Sequence, residues 1–232
     1  PNILILINKE GCFNMEATKN PKWEEIIIVA KRSEVFENEK LTFQGSLSDK
    51  ASVDKIMYNI DKSYKTMRRG NVLDNTAKSK NAEVNLDYLQ PIPYIVIKRG
   101  NQYYATKRLS GAGESRLHGK IAMGAGGHMN PLEDWRIIHD VVKANTEREL
   151  EEELEITGTY DVRVVGLIND DSDNVNRVHL GILGFLELED SGEVCVREVD
   201  QLQGNWYTIE ELLDSYEQLE NWGKIVVDMV NT

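Results

Sequence analysis

Cysteine is scarce in this chain of 232 residues, where Cys12 and Cys195 are the two examples. Their spacing matches no metal-ligand pattern, and the small number favours free thiols in a reducing compartment, which predicts a cytoplasmic protein. Positive charge is also in short supply, since 27 lysines and arginines stand against 39 aspartates and glutamates and the net charge is −12. That balance argues against nucleic acid or an anionic membrane surface as a partner.

Long apolar runs are missing as well, because no stretch approaches the roughly 20 residues of a membrane-spanning helix. The composition that remains is typical of a globular protein, with 41% hydrophobic and 28% charged residues. The length suffices for one large domain or for a domain with additions. We expect an N-terminal extension at residues 1–22, an α+β addition at 23–90 that packs on the main domain, and the main domain at 91–232.

Hydrophobic periodicity predicts the elements of these segments. A helix is expected from Ser52 to Arg69, with Ser52 as N-cap and Gly70 as stop, and a polar surface loop follows at residues 71–86. The pair Thr208 and Glu211 has the spacing of a capping box, which predicts a helix start. Further strands and a last helix are expected at 26–29, 92–97, 103–106, 120–123, 162–168, 178–187, 194–196 and 220–230.

The most informative stretch is the acidic run from Arg148 to Glu153, which follows a glycine-rich turn at residues 124–127. At about 100° per residue, Glu149, Glu152 and Glu153 share one arc of a helix that is about 100° wide. Like charges at this spacing repel each other, and a divalent cation would turn that repulsion into coordination. Glycines upstream allow backbone groups to approach a metal or a phosphate closely.

This stretch resembles the Nudix box, which runs Gly, five residues, Glu, seven residues, Arg-Glu, an aliphatic residue, any residue, Glu-Glu, any residue, Gly and an aliphatic residue. Gly127 and Glu133 match its first half, although the fourteen residues at 134–147 replace seven, and Glu155 stands where the box has Gly. The second half is filled by Arg148, Glu149, Leu150, Glu152, Glu153 and Ile156. The run SRLHGK followed by GGH also resembles a branch of predicted Nudix phosphoesterases.

The resemblance spans about residues 92–232 and implies an α+β fold, a Nudix-type α/β/α sandwich with a mixed sheet, preceded here by the α+β extension. The seven extra residues amount to nearly two helical turns, so a longer helix can absorb them without rotating the acidic face. The apolar positions favour instead a break near Ala144 and Asn145, with Thr146 and Glu149 capping a restart. Glu133 is then either the box glutamate or a cap residue of a helix that starts at Asn130.

The resemblance also implies a site. The metal, Mg²⁺ or Mn²⁺, would be bound by Glu149, Glu152, Glu153 and the carbonyl of Gly126, and Arg148 would hold a glutamate in place. Glu149 is the expected general base, with Glu152 or Glu153 behind it. Residues expected to contact the anionic substrate are Arg116, Lys120 and His128, and candidates for a later-loop base or ligand are Asp170, Asp171, Asp173 and Glu193.

The implied activity is metal-dependent hydrolysis of a diphosphate (pyrophosphate) linkage in a nucleoside diphosphate derivative or a related small molecule. One alternative is a nucleotide-sensing regulator that has kept the fold without catalysis. Another is an isomerase of the isopentenyl diphosphate type, which would need an active-site cysteine together with a glutamate. The apolar C-terminal helix and the first third of the chain are candidate contacts of a homodimer.

Overall fold

The computed structural model describes residues 21–109, 118–134 and 136–232, in which a mixed sheet lies between two layers of helices. The strands are β1 Ile26–Lys31, β2 Gly45–Leu47, β3 Tyr64–Arg68, β4 Tyr88–Arg99, β5 Gln102–Arg108, β6 Ile121–Ala122, β7 Gly124–Ala125, β8 Leu154–Thr157, β9 Tyr160–Asn169, β10 His179–Leu188, β11 Glu193–Val196 and β12 Leu202–Tyr207. The helices are α1 Arg32–Val35, α2 Lys50–Ser63, α3 Ile138–Glu153, α4 Ile209–Asp214 and α5 Asn221–Val230.

The sheet has the order β12-β5-β4-β10-β9-β2, with β1, β6 and β7 joined to its inner strands. β10 runs parallel to β4, and β9 pairs with the other edge of β10 in the antiparallel direction. The hairpin expected around Gly100 is confirmed, because β4 and β5 pair up to Arg99 and Gln102. The predicted α+β class with a mixed sheet is therefore confirmed, and β4 and β10 form its buried centre.

Alternation along β4 separates the two helical layers. Ile95 and Ile97 pack in one cluster with Leu150 of α3, while Tyr94 and Val96 pack in another with α4 and α5. The ring of Tyr94 meets Trp222 of α5 edge to face, with centroids 5.3 Å apart. The capping box predicted for α4 is present, since Thr208 and Glu211 exchange hydrogen bonds.

The segment before β4 adds strands to this sheet and a helix to the α3 layer. β1 pairs with β4 at Ala30 and Lys31, and β3 pairs with β1 on the outside. The predicted helix at 52–69 was too long, because α2 ends at Ser63 and the next residues form β3. Its N-cap is Asp49, whose side chain accepts from the backbone N–H of Ser52. Pairing with β1 overrides the helical spacing of the apolar side chains in β3.

The polar stretch 71–86 is a loop with two short 3₁₀ turns, Lys78–Lys80 and Ala82–Val84. It is not wholly a surface loop, because Asn81, Ala82 and Asn85 are buried.

The acidic run lies at the end of one continuous helix, α3, so the predicted break near Ala144 and Asn145 was wrong. A helix start at Asn130 was wrong too, because residues 131–134 are not helical. The carboxylate of Asp61 in α2 instead accepts from the backbone N–H of Ile138, at 2.7 Å, and supplies the missing cap. After Glu153 the chain turns directly into β8, so no glycine stop is needed.

Within the described residues, no helix is both long enough and apolar enough to cross a membrane.

Candidate active site

The glycine-rich turn lies against β4 and against the last turns of α3. β7 pairs with β4 through Gly124 and Ala125. A Cβ atom at Gly126 would collide with the carbonyl oxygen of Pro93, and one at Gly127 would lie 2.6 Å from both carboxylate oxygens of Glu149. Gly126 therefore requires glycine because it lies against the backbone of β4, whereas a side chain at Gly127 would push the Glu149 carboxylate out of its place.

Glu149 is enclosed between this turn and α3, and its side chain is only 12% exposed. Burial raises the pKa of its carboxyl group, and the neighbouring Arg148 guanidinium opposes that rise. The glutamate lies on the same arc as Val142, since seven residues are about 20° short of two full turns. The arc that carries the carboxylate is thus the arc that faces the protein interior.

The Arg148 guanidinium donates hydrogen bonds to four acceptors around Glu149. Its Nη2 atom donates to Glu149 Oε1 at 2.7 Å, to the carbonyl of His128 at 2.9 Å and to Asn145 Oδ1 at 3.1 Å. Its Nη1 atom donates to Glu152 Oε2 at 3.1 Å. The guanidinium therefore joins α3 to the residue that follows the glycine turn.

Asn145 joins the same two elements one turn earlier. Its side-chain oxygen accepts from the N–H of Asn130 at 2.8 Å, and its amide donates to the Asn130 carbonyl at 3.0 Å. The two hydrogen bonds fix the loop between the glycine turn and α3 without help from a regular element.

Glu153 lies one helical turn beyond Glu149 and accepts a backbone hydrogen bond from Gly126. Burial, reinforced by the charge of Glu149, raises the pKa of Glu153 to about 7, against the opposing effect of Arg108. Its side chain lines a narrow cleft with a volume of about 20 Å³. The remaining walls of the cleft are Ile95, Ile97, Tyr104, Thr106, Ala122, Met123, Gly124, Ala125, Leu154 and Leu202.

The third predicted carboxylate faces elsewhere, because Glu152 is 60% exposed and contacts Arg148. In the part of the chain that the structure describes, one group of three His, Cys, Asp or Glu ligand atoms lies within 4.8 Å of one another, and it consists of Glu83, His128 and His179. The structure therefore brings Glu149 and Glu153 together beside the glycine turn and leaves Glu152 at the rim.

The predicted substrate contacts are dispersed. Arg116 lies outside the described residues. The Lys120 ammonium donates to the carbonyl of Glu217 at 2.9 Å, and the His128 side chain is buried beside Glu83. Glu133 is exposed in the loop before α3. This placement leaves the box position of Glu133 without a contact to the carboxylate pair in the residues described.

The later-loop candidates have structural partners. Asp171 pairs with Arg32 at 2.9 Å, and Glu193 pairs with Arg99 at 3.1 Å. Asp170 and Asp173 accept hydrogen bonds from backbone and side-chain groups of their own loop. Sequence reasoning missed Arg108, whose guanidinium acts on the pKa of Glu153 and donates to Glu220 at 2.9 Å. The basic run that begins at Lys107 was the available signal.

Two of the proteins to which this chain is similar match it over nearly its full length. It is 45% identical over 213 residues to Protein YmaB of Bacillus subtilis (strain 168), which covers 90% of this chain and 98% of YmaB. It is also similar to the crystal structure of Tm1382, a protein described as a candidate Nudix hydrolase, with a TM-score of 0.68, 25% identity and coverage of 89% of this chain and 98% of that chain. No family model matches the sequence. The coverage of this chain by Tm1382 exceeds the length of residues 91–232, so the shared fold includes part of the segment before β4.

Proposed function

We propose that this chain, which belongs to the same family as YmaB and is similar in fold to the candidate Nudix hydrolase Tm1382, hydrolyses a diphosphate linkage with the help of a divalent metal ion. The substrate class is a nucleoside diphosphate derivative or a related small diphosphate. A diphosphate linkage is an acid anhydride, the kind of bond on which Nudix hydrolases act.

The observation that carries the proposal is the pair Glu149 and Glu153. The two carboxylates lie one helical turn apart and both are largely buried. The charge of Glu149 raises the pKa of Glu153, while Arg148 opposes the rise at Glu149 and Arg108 opposes it at Glu153. Buried carboxylates without full compensation by cations make a site that gains from a bound divalent ion. The pair therefore fits a metal of the Mg²⁺ type, which prefers carboxylate oxygens together with substrate phosphates.

We assign Glu149, Glu153 and the carbonyl of Gly126 as the groups that hold Mg²⁺ or Mn²⁺, and Glu152 joins them from the rim when its side chain turns away from Arg148. When bound, the ion supplies charge neutralisation at the phosphate oxygens and a lower pKa for a bound water. The glycine turn lets its backbone lie directly against the Glu149 carboxylate, where a side chain would collide with it.

The chain's own groups then have separate tasks. Glu149 accepts the proton of the attacking water as general base, since it is enclosed and fixed by Arg148. Arg148 is a positioning residue, because it donates to Glu149 and to the loop rather than into the cleft.

A panel of diphosphates, assayed for phosphate or nucleotide products with and without Mg²⁺, tests the proposal. Glu149→Gln and Glu153→Gln keep the shape of the side chains and remove their charge, and we expect turnover to fall by about 10²–10⁴-fold. Glu152→Gln belongs in the same series as the exposed member of the set. Glu151→Gln, an exposed neighbour on the same helix, is the matched control and should retain activity.

Circular dichroism of each variant separates a lost reaction from a lost fold. Full activity in both Glu152→Gln and Glu153→Gln would refute the site. Binding of diphosphates without turnover in the wild-type protein would support the sensing function instead.

A further inference from the structure

A second polar cluster lies next to the glycine turn and shares no lining residue with the cleft beside Glu153. Glu83 comes from the 3₁₀ turn Ala82–Val84, His128 follows the glycines, and His179 opens β10. Their ligand atoms lie within 4.8 Å of one another. Three segments that are far apart in sequence therefore place two imidazoles and a carboxylate around one point.

Two ring nitrogens in this cluster have no hydrogen-bond partner although both are buried: Nε2 of His128 and Nε2 of His179. Nδ1 of His179 lies 2.6 Å from the carbonyl oxygen of Val175. Because a carbonyl oxygen only accepts, Nδ1 carries the proton and Nε2 presents a lone pair to the interior. An outward hydrogen bond of this kind is the usual support of a metal-bound histidine.

The distances suit ligands of one small ion. His128 Nε2 and Glu83 Oε1 are 3.5 Å apart, which is long for a good hydrogen bond. Two ligands of a tetrahedral zinc ion, each about 2.0–2.1 Å from the metal, lie roughly 3.3 Å apart. The two imidazole rings meet at 64° with centroids 5.6 Å apart, so they do not stack on each other.

The charges around the cluster favour neutral imidazoles. Burial lowers the pKa of His128 well below its usual range, and the nearby Arg69 acts in the same direction. Burial also lowers the pKa of His179. Arg69 donates to Glu83 Oε1 at 3.1 Å and is itself paired with Glu25, so it orients the carboxylate. Neutral imidazole is the form that binds metals.

We propose that Glu83, His128 and His179 bind one divalent ion of the zinc class, with the remaining coordination position left to water. The ligand set of two nitrogens and one carboxylate suits Zn²⁺ better than Mg²⁺, which prefers oxygen ligands. The side chains of Glu83 and His128 are each 14% exposed, so the site is too enclosed for a substrate. The ion fastens the segment before β4 to the glycine turn.

The proposed zinc site is connected to Glu149 by hydrogen bonds through Arg148. The carbonyl of His128 accepts from Arg148, and Arg148 donates to Glu149. An ion that fixes His128 therefore also fixes the acceptor that positions Arg148. The proposal rests on the geometry of the cluster and holds whether or not the chain hydrolyses diphosphates.

Equilibrium dialysis of untagged protein against Zn²⁺ in millimolar Mg²⁺, with the bound metal measured by mass spectrometry, tests the site. We expect one Zn²⁺ per chain in the wild type and a loss of that ion in His179→Ala, His128→Ala and Glu83→Gln. His139→Ala removes an exposed histidine of α3, and Cys195→Ser removes an exposed thiol; both should keep the ion. Glu153→Gln should keep it as well, which separates this site from the Mg²⁺ site.

Thermal unfolding gives a second readout, because an ion that binds only the folded state raises Tm. Zn²⁺ should raise the Tm of the wild type and of His139→Ala, and leave that of Glu83→Gln unchanged. Glu83→Gln keeps the volume of the side chain, so it serves where a histidine variant fails to fold. Equal Zn²⁺ binding in the wild type and in all three ligand variants, or no binding in the wild type, would overturn the proposal.

Discussion

The two halves of α3 face the same side of the molecule with opposite chemistry. Residues 138–145 bury Ile138, Val141 and Val142 against α2 and the sheet. Residues 146–153 direct Glu149 into the same interior, two turns beyond Val142. The difference lies in the surroundings, because Glu149 meets a glycine backbone and an arginine while Val142 meets apolar side chains. A buried charge is tolerated on this arc of α3 where an arginine and a glycine backbone surround it.

Placing a carboxylate in the first half should produce the largest effect. Val142→Glu puts the charge on the arc of Glu149 but among apolar groups, without an arginine or a close glycine. We expect the free energy of unfolding to fall by more than about 3 kcal/mol, because an unpaired buried charge has no compensation. Urea denaturation followed by circular dichroism measures the loss.

The exposed neighbour Lys143 supplies the control for that experiment. Lys143→Glu introduces the same charge on the solvent side, and the free energy of unfolding should change by less than about 0.5 kcal/mol. Equal free energies of unfolding for Val142→Glu and Lys143→Glu would mean that the buried arc of α3 accommodates a charge without a neighbouring arginine or glycine.

The dependence of stability on pH tests whether the carboxyl group of Glu153 is buried in the second half of α3. Its carboxyl has a pKa of about 7 in the folded protein and an ordinary value of 4.5. Between these values the folded state binds a proton that the unfolded state does not, so its contribution to stability is complete below about pH 4.5 and lost as pH rises through about 7. The contribution amounts to at most about 3 kcal/mol.

The measurement compares Glu153→Gln with the wild type by urea unfolding in metal-free buffer at pH 5 and pH 8. The variant should gain stability relative to the wild type as pH rises, because glutamine has no charge to bury. Glu151→Gln, on the solvent side of the same turn, should show no such gain. A difference between variant and wild type that stays constant over this pH range would contradict the raised pKa.

Local patterns made much of the fold predictable. Strand β10, the hairpin of β4 and β5, the capping box at Thr208 and helix α5 were predicted because each depends on residues close in sequence. The start of α3 was not, since its cap is Asp61 in another helix. Strands β8 and β12 were missed for a related reason, because short half-exposed strands are defined by their partners.

The residues of the two candidate sites also differ in how far the sequence could predict them. The spacing of Arg148, Glu149 and Glu153 was visible in the sequence, and the helix that carries them was expected. The assumption that carboxylates and apolar side chains must occupy different arcs led to the false break in α3. Glu83 and His179 were beyond sequence reasoning, because single residues of distant segments meet only in the folded chain.

The smallest of these effects concerns Arg148, the group that makes the second half of α3 different from the first. Its contact with Glu152 is solvent-exposed and contributes little, whereas its contacts with Glu149 and the His128 carbonyl are partly buried. Arg148→Lys keeps the charge but cannot span these acceptors with a planar fork. We therefore expect diphosphate turnover to fall by about tenfold, as for other positioning residues, with little change in stability. Arg136→Lys, at an exposed arginine before α3, is the control. Unchanged turnover in Arg148→Lys would mean that a point charge near Glu149 is sufficient, and that the fixed geometry of the guanidinium is not needed.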